Sequence, residues 1–564
     1  MKLRVFGPPG TGKTYTLARI LFHFTGEADA SDYLSEYDIY LPHDKYVMPD
    51  IVYMSFTNSA VDELLSRVGV NRNYRYGLWG TMHGIIQHLL IKQRKIPQTF
   101  ISRTFSRPGG PNWWKRKFAA DVGLPYDPTG EKMNLPGNQF FSDYTKYVNI
   151  YFPKFYDIER VLDMLANETR YGCYAEEWLR FKSENKVLDF DDVLVLGLVQ
   201  GVKVHQPVLI SDEFQDFSPL QWAIFSNWME DKDYVIVAGD DEQVLFSFHG
   251  ASPRFILYEF DADHTVVLKK SYRLPAKILA ASRLLAETYI KHRYPKKFEP
   301  RKPGGQIIMS NMYLTKVPDY AYRLAQAGKT VLVLARTNSQ VADIEEMFMV
   351  RSVPYYRFKT KKVTIWADFV DKIVDFVDAL KSKRAVSVNE AKFYLKFTGA
   401  PRAKIDVLAQ RLANPHQRPL DAYKIAQDPL AYIKWERVRE YFGSDRMAQI
   451  ALNSLKFALH NNTCSLPGKI YVDTIHSAKG REGDVVFILD SISNKVYDEI
   501  YNDEEVYEAE VRVWYVAMTR AREAVVLVPG MNEFLRPHLV RAISKVKARV
   551  VKNEEGGRAN RHGC

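Results

Sequence analysis

Two groups of residues in this chain have types and spacing that could do chemistry. The first is Gly7-Pro8-Pro9-Gly10-Thr11-Gly12-Lys13-Thr14, which matches Gly-x4-Gly-Lys-[Ser/Thr] at every fixed position. An apolar run, Leu3 to Phe6, precedes it and a helical stretch, Tyr15 to Phe24, follows, so the expected setting is strand, loop, helix. A loop of this kind meets a polyphosphate with convergent backbone N–H groups at a helix start, where the helix dipole also favours anions. Gly10, Thr11 and Gly12 are expected in that cradle, with Lys13 reaching the outer phosphates of a nucleotide and the Thr14 hydroxyl on Mg²⁺. The second group is Val208-Leu-Ile-Ser-Asp212-Glu213-Phe-Gln215-Asp216, an apolar strand that ends in adjacent acids. Asp212 is placed to share the Mg²⁺ with Thr14, and Glu213 to orient and deprotonate an attacking water, as hydrolysis of ATP requires. An acid pair after a strand also occurs in plain turns; its pairing with the phosphate loop favours the chemical reading.

These groups need a scaffold, and apolar runs rich in β-branched residues recur between helical patterns. They are Ile51 to Phe56, Val208 to Ser211, Tyr234 to Ala238, Thr330 to Leu334, Val485 to Leu489 and Ala524 to Val528. Strands buried on both faces look like this, and their alternation with helices predicts parallel sheets, enough for two α/β cores. Between the runs, 84–186 turns aromatic and basic with helices such as Tyr156 to Glu168, and 359–468 is mainly helical, as in Ala367 to Leu380. Both read as insertions. The chain has 564 residues, 26% of them charged, and a formal net charge of +11, which suits a polyanionic partner. Cys173, Cys464 and Cys564 lie far apart and show no metal-ligand spacing. No apolar stretch reaches the length of a membrane span, and the first residues lead straight into the phosphate loop without a signal peptide, so no membrane and a cytoplasmic setting are expected, with a nucleoid or a viral replication complex left open as alternatives.

From the phosphate loop onward the sequence resembles the UvrD/Rep/PcrA group of superfamily 1 DNA helicases, in family order. Ser55-Phe56-Thr57-Asn58-Ser59-Ala60, Gly80-Thr81-Met82-His83 and Leu188-Asp189-Phe190-Asp191-Asp192 follow the loop, and Asp212 to Asp216 matches Asp-Glu-x-Gln-Asp. Then come Gly239-Asp240-Asp241-Glu242-Gln243 through Phe246, Phe248, His249 and Ala251, Ser271-Tyr272-Arg273, Ala335-Arg336-Thr337-Asn338, Thr474 to Glu482, and Tyr515 to Ala521.

The resemblance implies two RecA-like parallel-sheet motor domains, each with a mainly helical inserted accessory subdomain. On this sequence the first core is 1–83 with 187–264 and the second 265–358 with 469–551. The insertions are 84–186 and 359–468, and the composition of 552–564, polar and Gly-containing, leads us to expect a disordered tail. Arg273 and Arg520 are then the cations that stabilise the γ-phosphoryl, reaching it only when the cores close, and Gln243 senses that phosphate. Tyr272 stacks on adenine, and Glu482 meets the ribose. Phe56, Phe246 and Phe248 line a single strand with Thr57, Asn58, Thr81, His83, Asn338 and His476 as polar contacts; bases stack on aromatic faces without sequence preference. The alternative for the phenylalanines is core packing.

The implied activity uses ATP and Mg²⁺ to move 3′ to 5′ along single-stranded DNA and unwind at single-strand/duplex junctions, as a monomer. The rival class is an ATP-driven protein-displacement or DNA-binding factor without unwinding. A nuclease fusion is disfavoured, since 521–564 leaves no room for it. His249 replaces the usual arginine, 359–468 is short for the family, and the glutamine segment that reads adenine upstream of the loop is missing. Weak selection among nucleoside triphosphates is therefore expected.

Overall fold

The computed structural model describes residues 1–56, 58–67, 77–107, 109–128, 135–351, 353–358, 365–414, 418, 421–443, 445–461 and 468–544. Thr57, Cys464, Cys564, the 359–364 start of the second insertion and the 552–564 tail lie outside them. The chain forms two compact units. One comprises Met1–Gln306, Asn494–Glu523 and Pro537–Cys564, the other Ile307–Ser493 and Ala524–Arg536.

The first unit is built on six strands: β1 (Lys2–Phe6), β2 (Ile51–Met54), β3 (Trp79–Gly80), β4 (Val208–Ser211), β5 (Tyr234–Gly239) and β6 (His264–Val267). Their order is β3-β2-β4-β5-β1-β6, and every neighbouring pair runs parallel. Leu209, Ile210, Val235 and Ile236 are buried, as expected of strands covered on both faces. The order matters for chemistry. β1 and β4 both flank β5, with Phe6 opposite Gly239 and Ser211 opposite Val237, so the segments leaving all three strands emerge side by side at their carboxyl ends. Open α/β sheets bind ligands at this kind of crevice.

The expected first insertion is helical, with Pro136–Phe155 and Ala175–Asn185 closing over Phe118, Phe141 and Trp178. One helix starts later than its sequence suggests. Tyr156 takes a left-handed φ of 54° and ends the preceding helix, and Asp157 caps the next one, Ile158–Glu168, by accepting the Arg160 N–H at 3.2 Å.

The second sheet has the order β7 (Gln306–Met309), β11 (Ala521–Pro529), β10 (Gly483–Asp490), β8 (Val331–Ala335), β9 (Ile470–Thr474), with β8 parallel to both β9 and β10. Helices from Ile365–Lys381 to Asp445–Asn461 accompany it, and Ile373, Val374, Val377 and Leu380 are buried at the spacing read from sequence. Two parallel-strand α/β sheets with helical additions are thus present.

The segments 265–306 and 494–523, expected in the second core, instead pack within the first unit. Buried polar contacts hold them there: Ser271 Oγ donates to the Pro9 carbonyl (2.8 Å), the Tyr272 N–H to Gly10 (2.7 Å) and Arg512 Nε to the Asp241 carbonyl (3.0 Å).

Candidate functional site

The phosphate loop leaves β1 at Gly7, whose N–H donates to the Gly239 carbonyl at 2.9 Å. Thr11 closes the turn, donating from N–H (3.1 Å) and Oγ1 (2.7 Å) to the Pro8 carbonyl. Helix α1 (Lys13–Thr25) begins after Gly12, and no side chain caps it, which leaves the first-turn N–H groups to serve an anion. Gly7 and Gly10 are demanded by close approach. A Cβ on Gly7 would lie 1.8 Å from Lys13 Cγ, because the lysine stem crosses the glycine and Nζ donates to its carbonyl at 3.1 Å. Gly10, at φ 74°, is left-handed, and a Cβ there would meet Arg273 Cβ at 2.5 Å.

The acids face this loop. Asp212 is buried at the end of β4, and its Oδ2 accepts the Thr14 hydroxyl at 3.0 Å across 198 residues of sequence. Burial, then the neighbouring Glu213 charge, pushes the Asp212 carboxyl up to about 6, against the pull of Lys13. A buried carboxylate paired with a hydroxyl, in want of positive charge, fits a hard divalent cation. Glu213 stands 3.8 Å from Lys13 Nζ and has a left-handed φ of 55°. Its Oε2 accepts Gln215 Nε2 at 2.6 Å, and the same amide nitrogen reaches Asp216 Oδ2 at 3.2 Å.

Gln243 is held at both ends of its amide: Nε2 donates to Asp240 Oδ2 (2.6 Å), and Oε1 accepts Arg520 Nη2 (2.9 Å). Arg273 donates from Nη1 to the Thr519 carbonyl at 3.3 Å. Both arginines belong to the unit that carries the phosphate loop. Tyr272 presents an exposed ring next to Gly10.

The loop Asp240 to Gln243 rests on a residue that no motif announces. Lys296 is fully buried, with Nζ 2.7 Å from Asp240, 2.6 Å from Asp241 and 3.4 Å from Glu242. Arg293 pairs with Glu242 at 3.0 Å, and Arg512 with Glu508 at 3.1 Å. The sequence signal for Lys296 is slight: it sits in Tyr294-Pro295-Lys296-Lys297-Phe298, where either lysine could be the buried one.

The aromatic candidates form one group in the same unit. Phe56 stacks on Phe246 (4.5 Å, 22°), and Phe248 lies 6.0 Å from Phe246 with its side chain partly exposed. Two cavities adjoin them, of about 350 and 310 Å³, sharing Phe56, His83, Phe190 and Gln221. Phe56 and Phe246 are half-buried and both line the larger of these two cavities. Burial holds the His83 imidazole down to about 4, so it is neutral there. Thr81 caps the helix Met82–Lys92 by accepting the Gly84 N–H at 3.2 Å, and Asn58 is an exposed helix start. Thr57 lies outside the described residues. Asn338 opens the helix Asn338–Val350, His476 follows β9 and Glu482 precedes β10, so these three belong to the second unit.

Comparison with known proteins agrees with this geometry. Residues 1–264 match the UvrD/REP helicase N-terminal domain, and residues 440–529 the UvrD-like helicase C-terminal domain. YjcD of Bacillus subtilis is 22% identical over 73% of this chain, and the ATP-dependent DNA helicase PcrA of Leuconostoc citreum 24% identical over 75%. The chain spans 64% of the first and 57% of the second, less than two thirds of either. A shorter stretch, 18% of the chain, is 34% identical to the ATP-dependent DNA helicase UvrD2 of Mycobacterium tuberculosis, where it covers 16%. With a phosphate loop, an acid pair and two RecA-like α/β sheets in the matching order, this chain belongs to the UvrD/REP helicase family.

Proposed function

We propose that this chain is an ATP-dependent DNA helicase and single-strand translocase moving 3′ to 5′, with two motor cores carrying insertions at 84–186 and 359–468. One observation carries the coupling. Glu213 hydrogen-bonds Gln215, Gln215 hydrogen-bonds Asp216, and Asp216 Oδ1 accepts the Leu245 N–H at 3.2 Å, one residue before the stacked Phe246. A continuous polar path thus joins the water-activating acid to the aromatic group.

In this reading Lys13 and the loop N–H groups hold the phosphates, and Thr14 and Asp212 hold Mg²⁺. Bound there, Mg²⁺ supplies charge neutralisation between the outer phosphates. Glu213 takes the proton of the attacking water, and the charge building on the γ-phosphoryl is met by Arg273 and Arg520, with Gln243 reporting its state to the Asp240 loop. Tyr272 stacks on the base and Glu482 contacts the ribose. Phe56, Phe246 and Phe248 stack on successive bases, with Thr57, Asn58, Thr81, His83, Asn338 and His476 as polar contacts. The chain acts as a monomer in the cytoplasm on single strands and their junctions. No helix among the described residues is long and apolar enough to cross a membrane.

Strand displacement on 3′-tailed, 5′-tailed and blunt duplexes, beside translocation on end-labelled single strands, tests this. Unwinding confined to the 3′-tailed substrate is expected. Translocation without unwinding on any of the three would identify a displacement factor instead.

A further inference from the structure

Away from the phosphate loop, at the carboxyl end of α1, three potential metal ligands converge. The ligand atoms of His23, Asp29 and His43 all lie within 4.8 Å of one another. His23 is buried, and its Nε2 lies 2.9 Å from the Leu41 carbonyl, which can only accept, so Nε2 carries the hydrogen. Nδ1 then carries a lone pair, which accepts the Ala30 N–H at 3.2 Å, a bond that a metal on Nδ1 would replace. A ring N–H anchored on a backbone carbonyl is the support that orients histidine ligands in metal sites.

Nδ1 also lies 3.3 Å from Asp29 Oδ1. The Ser31 N–H (2.8 Å) and Oγ (2.7 Å) both donate to the same oxygen and keep the carboxylate charged. A cation, either a proton on Nδ1 or a metal ion, makes this approach to the carboxylate favourable. With ligand bonds of about 2.0–2.1 Å, the edge of a tetrahedral zinc site is about 3.3–3.4 Å. The third ligand is held in place by backbone: Asp44 N–H donates to the His23 carbonyl and Lys45 N–H to Phe24, both at 3.0 Å, which brings the His43 ring to 5.0 Å from that of His23. The last turn of a helix also favours positive charge.

We propose that His23 Nδ1, Asp29 and His43 bind one divalent transition metal of the zinc class, with water in the fourth position, clamping the 29–43 segment to the end of α1. Two imidazoles and one carboxylate select such a metal over Mg²⁺. Asp29 and His43 are exposed, so their replacement spares the core.

The test uses the full chain, stripped of metal, titrated with Zn²⁺ alone against a chromogenic chelator, and with Co²⁺ to read the coordination bands. Wild type should take up one equivalent more than His43→Ala or Asp29→Asn, or bind it at least about tenfold more tightly. Zn²⁺ should raise the unfolding midpoint of wild type only, and Co²⁺ should give tetrahedral bands lost in both variants. Equal binding by all three proteins, no bound equivalent in wild type, or loss in only one variant overturns the three-ligand site.

Discussion

At the scale of single residues, the phosphate loop and the aromatic group use different side chains, and this makes them separable. Lys13→Ala should abolish DNA-stimulated hydrolysis yet leave single-strand affinity nearly unchanged; retained turnover would remove Lys13 from the site. Glu213→Gln should bind ATP and Mg²⁺ but turn over very slowly, because an amide can orient water without accepting its proton. Asp212→Asn should instead weaken Mg²⁺-dependent nucleotide binding. Its acid also sets a pH dependence. The Asp212 carboxyl is pushed up to about 6, so below that pH it carries a proton that metal must displace. The Mg²⁺ needed for half-maximal turnover should rise about tenfold per unit as pH falls below about 6, and a flat profile would mean that another group holds the metal. Phe248→Ala should slow stepping along single-stranded DNA more than basal hydrolysis, since stacking contributes about 1–3 kcal/mol per base; an unchanged stepping rate would assign that ring to packing.

At the scale of elements, the segment after β5 depends on an ion cluster with no solvent to spare it. Burial pulls the Lys296 ammonium down, but Asp240, Asp241 and Glu242 outweigh it and hold it charged, with the proton bound far more firmly than in an ordinary lysine. Removing one partner from such a cluster leaves uncompensated buried charge, at about 3–5 kcal/mol. Lys296→Met should lower the stability of the first unit by that order, read from the urea midpoint, and should displace Gln243 through Asp240. A change below about 1 kcal/mol would show that the acids take up protons or another partner instead. Cluster and phosphate loop were unequally legible. Gly7 to Thr14 is one contiguous stretch with fixed spacing, whereas Lys296 lies more than 50 residues from Asp240 in sequence and is chosen by what covers it.

At the scale of the whole molecule, the formal charge of +11 bears on how the chain holds nucleic acid. Each phosphate neutralised on a single strand should contribute about −0.7 to the slope of log affinity against log salt. A slope of several units is expected for single-stranded DNA, unaltered in Phe248→Ala, which lowers affinity at every salt concentration. A slope near zero would mean that the positive charge does not act on phosphates.

The sequence by itself determined strands β1, β2, β4, β5, β8, β10 and β11, though not the short or edge strands β3, β6, β7 and β9, and the chemical vocabulary. Val208 to Ser211 reads as a buried strand and is one, and Asp212 follows it because β-branched runs and terminal acids are local properties. It also carried enough ordered motifs to imply the family. It did not determine which segments share a unit. Arg273 and Arg520 were expected on a second core, but Ser271, Tyr272 and Arg520 hydrogen-bond the loops that follow β1 and β5 within the first unit. The same holds for His23, Asp29 and His43, spread over 21 positions with no motif between them. Periodicity records that a face will be buried; the partner that buries it is selected by sheet order and by the hydrogen bonds available to buried polar groups, and those exist only once the chain has folded.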